Sequence, residues 1–246
     1  MSGHSKWSTI KHKKAAKDEK RGKLFAKLAR GIEVAARDGG GDAAMNAVLA
    51  LAVQKAKDAS MPGENIERAI KRGTGDIEGA QYQEIWYEGY APGGVALYVQ
   101  ILTDNRNRAA SDVRTAFTRN GGSLGEPGSV AYLFEQKGYI IAGGDEEEVM
   151  LAALDAGAED IRPSGKQFEI ISAAADLGAV RDALAAVGIE METAEVTQLA
   201  SQAVAVEEDA ARRVLQLLDA LEDLDDVQGV FGNFDISDEV LEAVAG

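Results

Sequence analysis

The chain of 246 residues contains no cysteine. That excludes disulfides, thiol catalysis and cysteine-ligated zinc or iron–sulfur centres, and it suits a reducing cytoplasm. Only two histidines occur, His4 and His12, too small a set for a metal site in a chain without cysteine. Neither a Gly-x-Ser-x-Gly elbow nor a dinucleotide fingerprint is present. No stretch reaches the roughly 18 consecutive apolar residues of a membrane helix. The opening Met1–Trp7 has no apolar run behind its charges, so no secretory signal is expected. These absences predict a cytoplasmic protein that is not an enzyme, with no metal, cofactor, small-molecule substrate or membrane partner. Aromatics are scarce at 6%, but a hydrophobic content of 46% is enough for real cores and rules out wholesale disorder.

The formal charge is −15, and it is unevenly spread. Residues 1–76 carry 16 Lys and Arg against 9 Asp and Glu, a net of +7; residues 77–246 carry the other 10 and 32, a net of −22. Such asymmetry points to an acidic or nucleic-acid partner at one end, while the anionic body limits indiscriminate binding. The densest basic stretch holds Lys6, Lys11, Lys13, Lys14, Lys17, Lys20, Arg21 and Lys23, with Trp7 and His12 interleaved. Lys and Arg neutralise phosphates and release counterions. The aromatic rings can stack on unpaired bases, which favours RNA or single strands. Lys27 and Arg30 extend this set, and Arg68, Lys71 and Arg72 form a second basic group. Lys predominates in the tail, and Lys suits phosphate where Arg reads bases.

Apolar spacing predicts three helices. The first has Leu24, Phe25, Leu28, Ile32 and Ala35 on one stripe and stops at Gly39-Gly40-Gly41. Asp42 is expected to cap the second, with Met45, Val48, Leu49, Ala52, Val53 and Ala56 inward. Pro62 opens the third, which Gly73 ends. Strands are then expected at 81–88, Val95–Leu102 and Val130–Phe134, with a helix between the last two that Thr103 or Asp104 caps. Tyr139–Ala142, Asp145–Ala156, Phe168–Ser172, Asp176–Val187 and Glu190–Leu199 read strand, helix, strand, helix, strand, close to a complete split βαβ unit. A strongly amphipathic helix at Glu207–Leu224 and a strand at Val227–Phe234 complete the earlier half-domain. The predicted domains are 1–78, a split 79–135 plus 203–246, and an inserted 136–202.

Two further constellations are candidate sites. Asp104-Asn105-Arg106-Asn107-Arg108 starts a helix, where free backbone N–H groups with Arg106 and Arg108 suit a phosphate. Plain capping, with the arginines paired to local carboxylates, is the competing reading. The loop containing Gly121, Gly122, Gly125, Glu126, Pro127 and Gly128 allows close backbone approach to a ligand, but no Gly-Lys-Ser/Thr follows it as in a P-loop.

Four strings in this chain resemble the YebC/PmpR family: Gly3-His4-Ser5-Lys6-Trp7-Ser8-Thr9-Ile10-Lys11-His12-Lys13-Lys14, Tyr87-Glu88-Gly89-Tyr90-Ala91-Pro92-Gly93-Gly94-Val95, Leu102–Arg108 and Gly121–Val130. Met61-Pro62 with Asn65–Ile70 matches as well. The resemblance covers essentially the whole chain. It implies an α+β fold, in which an N-terminal three-helix domain is followed by two ferredoxin-like α/β sandwich domains, one inserted in the other. It also implies a cytoplasmic, non-enzymatic nucleic-acid-binding protein. The expected partner is ribosomal RNA, in a ribosome-associated factor that eases translation of proline-rich stretches, or else promoter DNA, in a transcriptional regulator. A monomer is expected.

Overall fold

Helix α1 (Asp18–Gly39) buries Ile32, Ala35 and Ala36 against α2 (Ala47–Asp58) and α3 (Gly63–Gly73). Leu49, Ala56, Met61, Ile66 and Ala69 complete this small helical core. The computed structural model describes residues 18–237 together with Val240. The turn between α1 and α2 is fastened by Asn46, not by Asp42. Asn46 caps α2 by accepting from Leu49 N at 3.0 Å, and its amide donates to the Ala35 and Gly40 carbonyls. Asp42 accepts from Ala44 N, one turn earlier. Moving the helix start past Asp42 also turns Met45 and Val48 outward, 85% and 67% exposed, so these two are not core residues.

An antiparallel hairpin follows. β1 (Gln83–Ala91) and β2 (Val95–Thr103) pair along their whole length, through the turn at Pro92–Gly94. β2 alternates Val95, Leu97, Val99 and Ile101 toward the core, as a strand with one covered face must. Helix α4 (Arg106–Arg119) covers that face with Ala109, Val113, Ala116 and Phe117. The cap is Asn105, which accepts from Arg108 N at 3.1 Å; Thr103 Oγ1 accepts from Asn105 N. Neither Thr103 nor Asp104 caps the helix.

The third strand of this sheet is not at Val130–Phe134. It is the two-residue β3 (Ser123–Leu124), which pairs with Gly89 and Tyr90 of β1. The N–H groups of Val130 and Ala131 are held by a side chain instead of a ladder, and Ala131–Leu133 forms a 3₁₀ turn.

Residues 133–202 form a separate compact unit. Its elements are β4 (Phe134–Gly143), α5 (Glu146–Asp155), β5 (Ala158–Ser164), β6 (Gln167–Ala173), α6 (Leu177–Ala186) and β7 (Met191–Ala200). The sheet order β5-β6-β4-β7 is antiparallel throughout, with α5 and α6 as the two crossovers, which is the ferredoxin-like arrangement. Asp145 caps α5 by accepting from Glu147 N and Glu148 N.

The chain then returns to the first sheet. After β8 (Val204–Ala205), helix α7 (Glu208–Glu222) places Ala211, Val214, Leu217, Leu218 and Leu221 in the core beside Phe117. Each large apolar side chain among these contributes about 1.5–3 kcal/mol when fully buried. β9 (Val227–Gly232) adds to β2, giving the order β3-β1-β2-β9, and β10 (Phe234–Asp235) pairs with β8 in parallel. The protein is thus an α+β chain with an N-terminal helical region and two antiparallel sheets, each with two helices on one face.

Candidate nucleic-acid interface

Along α1 the cations Lys23, Lys27 and Arg30 recur every three or four residues, so they share one flank of the helix. That flank meets the end of α7. Lys27 donates to the Glu222 carbonyl, and Lys23 lies 4.0 Å from Asp225. Arg30 donates to Asp226 Oδ1 at 2.9 Å, and its guanidinium sits over the Tyr82 ring, 5.4 Å from the centroid. Further on, Arg37 donates to the Tyr82 carbonyl. At the helix start Arg21 lies over the Phe25 ring one turn along.

Asp226 is the centre of this region. It is only 7% exposed and receives Arg30, Thr103 Oγ1 at 2.8 Å and Arg108 at 2.8 Å. Burial would raise its carboxyl pKa. The hydrogen bonds from Arg108 and Thr103, with the charges of Arg108 and Arg30, outweigh that and hold it below the ordinary range. Arg108 also pairs with Asp104 at 2.8 Å, and its bonds to Asp226 and Asp104 push its own pKa up. Arg108 is therefore committed to two carboxylates. Arg106 is exposed and makes no ion pair with a described residue.

On α3, Arg68, Lys71 and Arg72 are exposed near the helix C-terminus, where cations are favoured. Arg72 also faces α1. Burial raises the pKa of Glu33, and the nearby Arg72, Arg37 and Arg30 offset this only in part.

The glycine-rich loop is built on Glu88. Its carboxylate, 7% exposed, accepts from Gly128 N and Val130 N, both at 2.6 Å, and from Ala131 N at 2.8 Å. Burial raises its pKa, but the three backbone donors outweigh burial and the net shift is downward. Gly125 N donates to the Glu88 carbonyl, and Tyr90 Oη donates to the Ser129 carbonyl. A Cβ on Gly122 would stand 2.8 Å from the Tyr90 carbonyl oxygen and 2.9 Å from Leu217, so only glycine fits there. Gly121 and Gly128 have φ of +75° and +88°. Glu126, Pro127 and Gly128 remain exposed at a fixed tip.

Among the expected binding residues, Lys6, Trp7, Lys11, His12, Lys13, Lys14 and Lys17 lie outside the described residues, as does the side chain of Lys20. Among the rest, the structure brings Lys23, Lys27, Arg30 and Arg108 together around one acidic turn. It leaves Arg106, the α3 cations and the glycine loop as separate places. Sequence reading missed Glu88 and Asp226. Glu88 lies inside one of the family strings, yet an acid in a strand has no local signature. Asp226 had a signal: α7 ends in Asp219 and Glu222 and is capped by Asp223, with no basic residue in its last turn. That opposes the helix dipole unless cations dock from elsewhere. Among the described residues no cluster of three or more His, Asp or Glu could hold a metal ion, and no helix is long and apolar enough to cross a membrane.

Known proteins resemble this chain in sequence and in fold. Residues 5–76 match the family model described as TACO1/YebC protein N-terminal domain, and residues 82–234 match TACO1/YebC second and third domain. A probable transcriptional regulatory protein of Beutenbergia cavernae is 60% identical over 246 residues, 98% of each chain. One of the same description from Rubrobacter xylanophilus is 57% identical over 250 residues, covering all of both chains. The crystal structure of a conserved hypothetical protein from Aquifex aeolicus, 48% identical, superposes with a TM-score of 0.81 over 91% of this chain and 94% of that one.

Proposed function

The chain belongs to the TACO1/YebC family, and from that premise we propose that it is a non-enzymatic, cytoplasmic, monomeric nucleic-acid-binding regulator of gene expression. The observation that carries this reading is the charge division, net +7 over residues 1–76 against net −22 over residues 77–246. A basic end leads onto phosphate while the acidic body keeps the rest of the chain off it. The names of the relatives favour DNA and transcription as the setting. A second reading, a ribosome-associated translation factor that contacts ribosomal RNA and eases proline-rich stretches, is favoured by the tail. Its lysines grip backbone without reading bases, and Trp7 suits unpaired strands. The proposed contact set is the tail, the α3 cations and Arg106, with the loop at Gly121–Gly128 reaching a functional centre. We also propose that 1–78, 79–135 with 203–246, and 136–202 fold as three domains.

Removal of residues 1–23 tests the function. Affinity for RNA and for DNA should fall by orders of magnitude while circular dichroism still reports a folded remainder. The slope of log affinity against log salt should flatten by about 0.7–0.9 for each phosphate the shortened chain no longer neutralises. Equal slopes before and after deletion would end this reading. Cosedimentation with ribosomes, with and without ribonuclease, then separates the RNA setting from the DNA one.

A further inference from the structure

The C-terminal end of α7 is a costly place for negative charge, because the last carbonyls of a helix already carry it. Here Asp223, Asp225 and Asp226 follow one another around that end, and the last turn supplies no cation of its own. The counter-charges of Asp225 and Asp226 come from two distant elements, Lys23 and Arg30 on α1 and Arg108 on α4. These cations converge as they would around a phosphodiester: one guanidinium over the Tyr82 ring, another at a helix start, and an ammonium at the rim. What they meet there are the carboxylates of Asp225 and Asp226, with Asp223 exposed beside them.

We infer that this cation cluster is a phosphate-backbone site, filled in the free protein by the chain's own turn 223–226, so that the acidic turn competes with nucleic acid. The inference rests on the nucleic-acid reading above and adds to it the means by which the fold restrains binding. The turn has two layers. Asp226 is buried, fixed by Thr103, and holds Arg30 and Arg108 in place. Asp223 and Asp225 are exposed, and the Lys23–Asp225 pair is long, at 4.0 Å, with both side chains more than half exposed. An exposed pair of that length contributes little to stability and exchanges readily. Incoming phosphates therefore displace the outer layer first and take Lys23. The positions of Arg30 and Arg108 persist because Asp226 stays.

The test is fluorescence anisotropy on the full chain, with short labelled single-stranded RNA and duplex DNA as probes across a salt series. Asp223→Asn with Asp225→Asn neutralises the outer layer at exposed positions. Glu146→Gln with Glu147→Gln on α5 changes net charge equally, in the separate 133–202 unit, and serves as the control. The turn variant should bind roughly tenfold tighter than wild type, with a salt slope steeper by about 0.7–0.9 per freed cation. The control should stay within about twofold. Matching affinities for the turn variant and the control, with wild-type binding intact and tail-dependent, would overturn this inference alone. Absence of binding by wild type and by every variant would overturn the nucleic-acid reading, and this inference with it. Binding that appears only in the turn variant would support the competition directly.

Discussion

Glu88 and Asp226 belong to the same sheet, one in β1 and one at the entry to β9, and both are buried carboxylates with lowered pKa values. They differ in what satisfies them. Glu88 accepts from three backbone N–H groups within four residues of chain, so its charge fixes the shape of one loop. Asp226 is held by two arginines and a threonine from three separate elements, so its charge joins the helical region to the sheet. Backbone donors carry no net charge and cannot leave. Guanidinium groups carry charge, respond to salt, and have an alternative ligand in phosphate. A lowered pKa alone therefore does not separate a carboxylate that shapes one loop from one that ties distant elements together; the donors do.

Removing Asp226 should have the larger effect. Asp226→Ala removes the one carboxylate that Arg30, Arg108 and Thr103 share. The expected loss is about 3 kcal/mol, the lower end for a broken buried pair, because Arg30 and Thr103 keep the Asp225 and Asn105 carbonyls and Arg108 still reaches water. Chemical denaturation measures this directly. Raising salt should shrink the difference between wild type and variant. A difference that does not change with salt would remove the distinction between the two carboxylates.

Glu88→Gln should cost about 2–3 kcal/mol, since an amide oxygen cannot satisfy three donors and the charge is gone. Its signature is local: amide exchange at Gly128, Val130 and Ala131 should accelerate, while exchange in α1 should not. This loss should be nearly independent of salt. Acid should show both sites together. Each carboxyl has a folded-state pKa below its unfolded value, so its stabilisation is complete above the unfolded carboxylate range near 4 and is lost as pH falls through the folded pKa. The stability of either variant should therefore depend less on pH across the acid range than that of wild type.

The sequence made much of this fold legible. Periodicity located all seven described helices and most strands, because helices with one apolar stripe and half-covered strands have distinct periods. β5 was not seen: Ala158–Ser164 includes Glu159, Asp160, Arg162 and Pro163, the composition of an edge strand. β3 was misplaced because a two-residue strand inside a glycine loop has no period at all. Helix caps slipped by one to four residues where Asx-rich turns offer several candidates, as at Asp42 against Asn46. For the candidate site, the cations were legible as a charge excess, but their partners were not. The bonds Arg30–Asp226 and Arg108–Asp226 span 196 and 118 residues, and no local pattern encodes them.

Glu33 offers a third carboxylate that sharpens the comparison from the opposite side. It is 5% exposed on α1, its Oε1 has no hydrogen-bond partner among the described residues, and its pKa is raised where those of Glu88 and Asp226 are lowered. Burial outweighs the attraction of Arg72, Arg37 and Arg30, none of which bonds to it. A carboxylate that is attracted by charges but not bonded by donors should be dispensable as a charge. Glu33→Gln should therefore leave stability at neutral pH unchanged or raise it by up to about 1 kcal/mol. The sign with pH follows from the raised value: protonating Glu33 favours the fold. Its contribution is complete below the unfolded carboxylate range and fades as pH rises through the folded pKa. Relative to wild type, the variant should gain most above that pH and nothing below it. A thermal-melt series across the acid range measures this, and a variant less stable than wild type at neutral pH would show that Glu33 is held by its arginines after all.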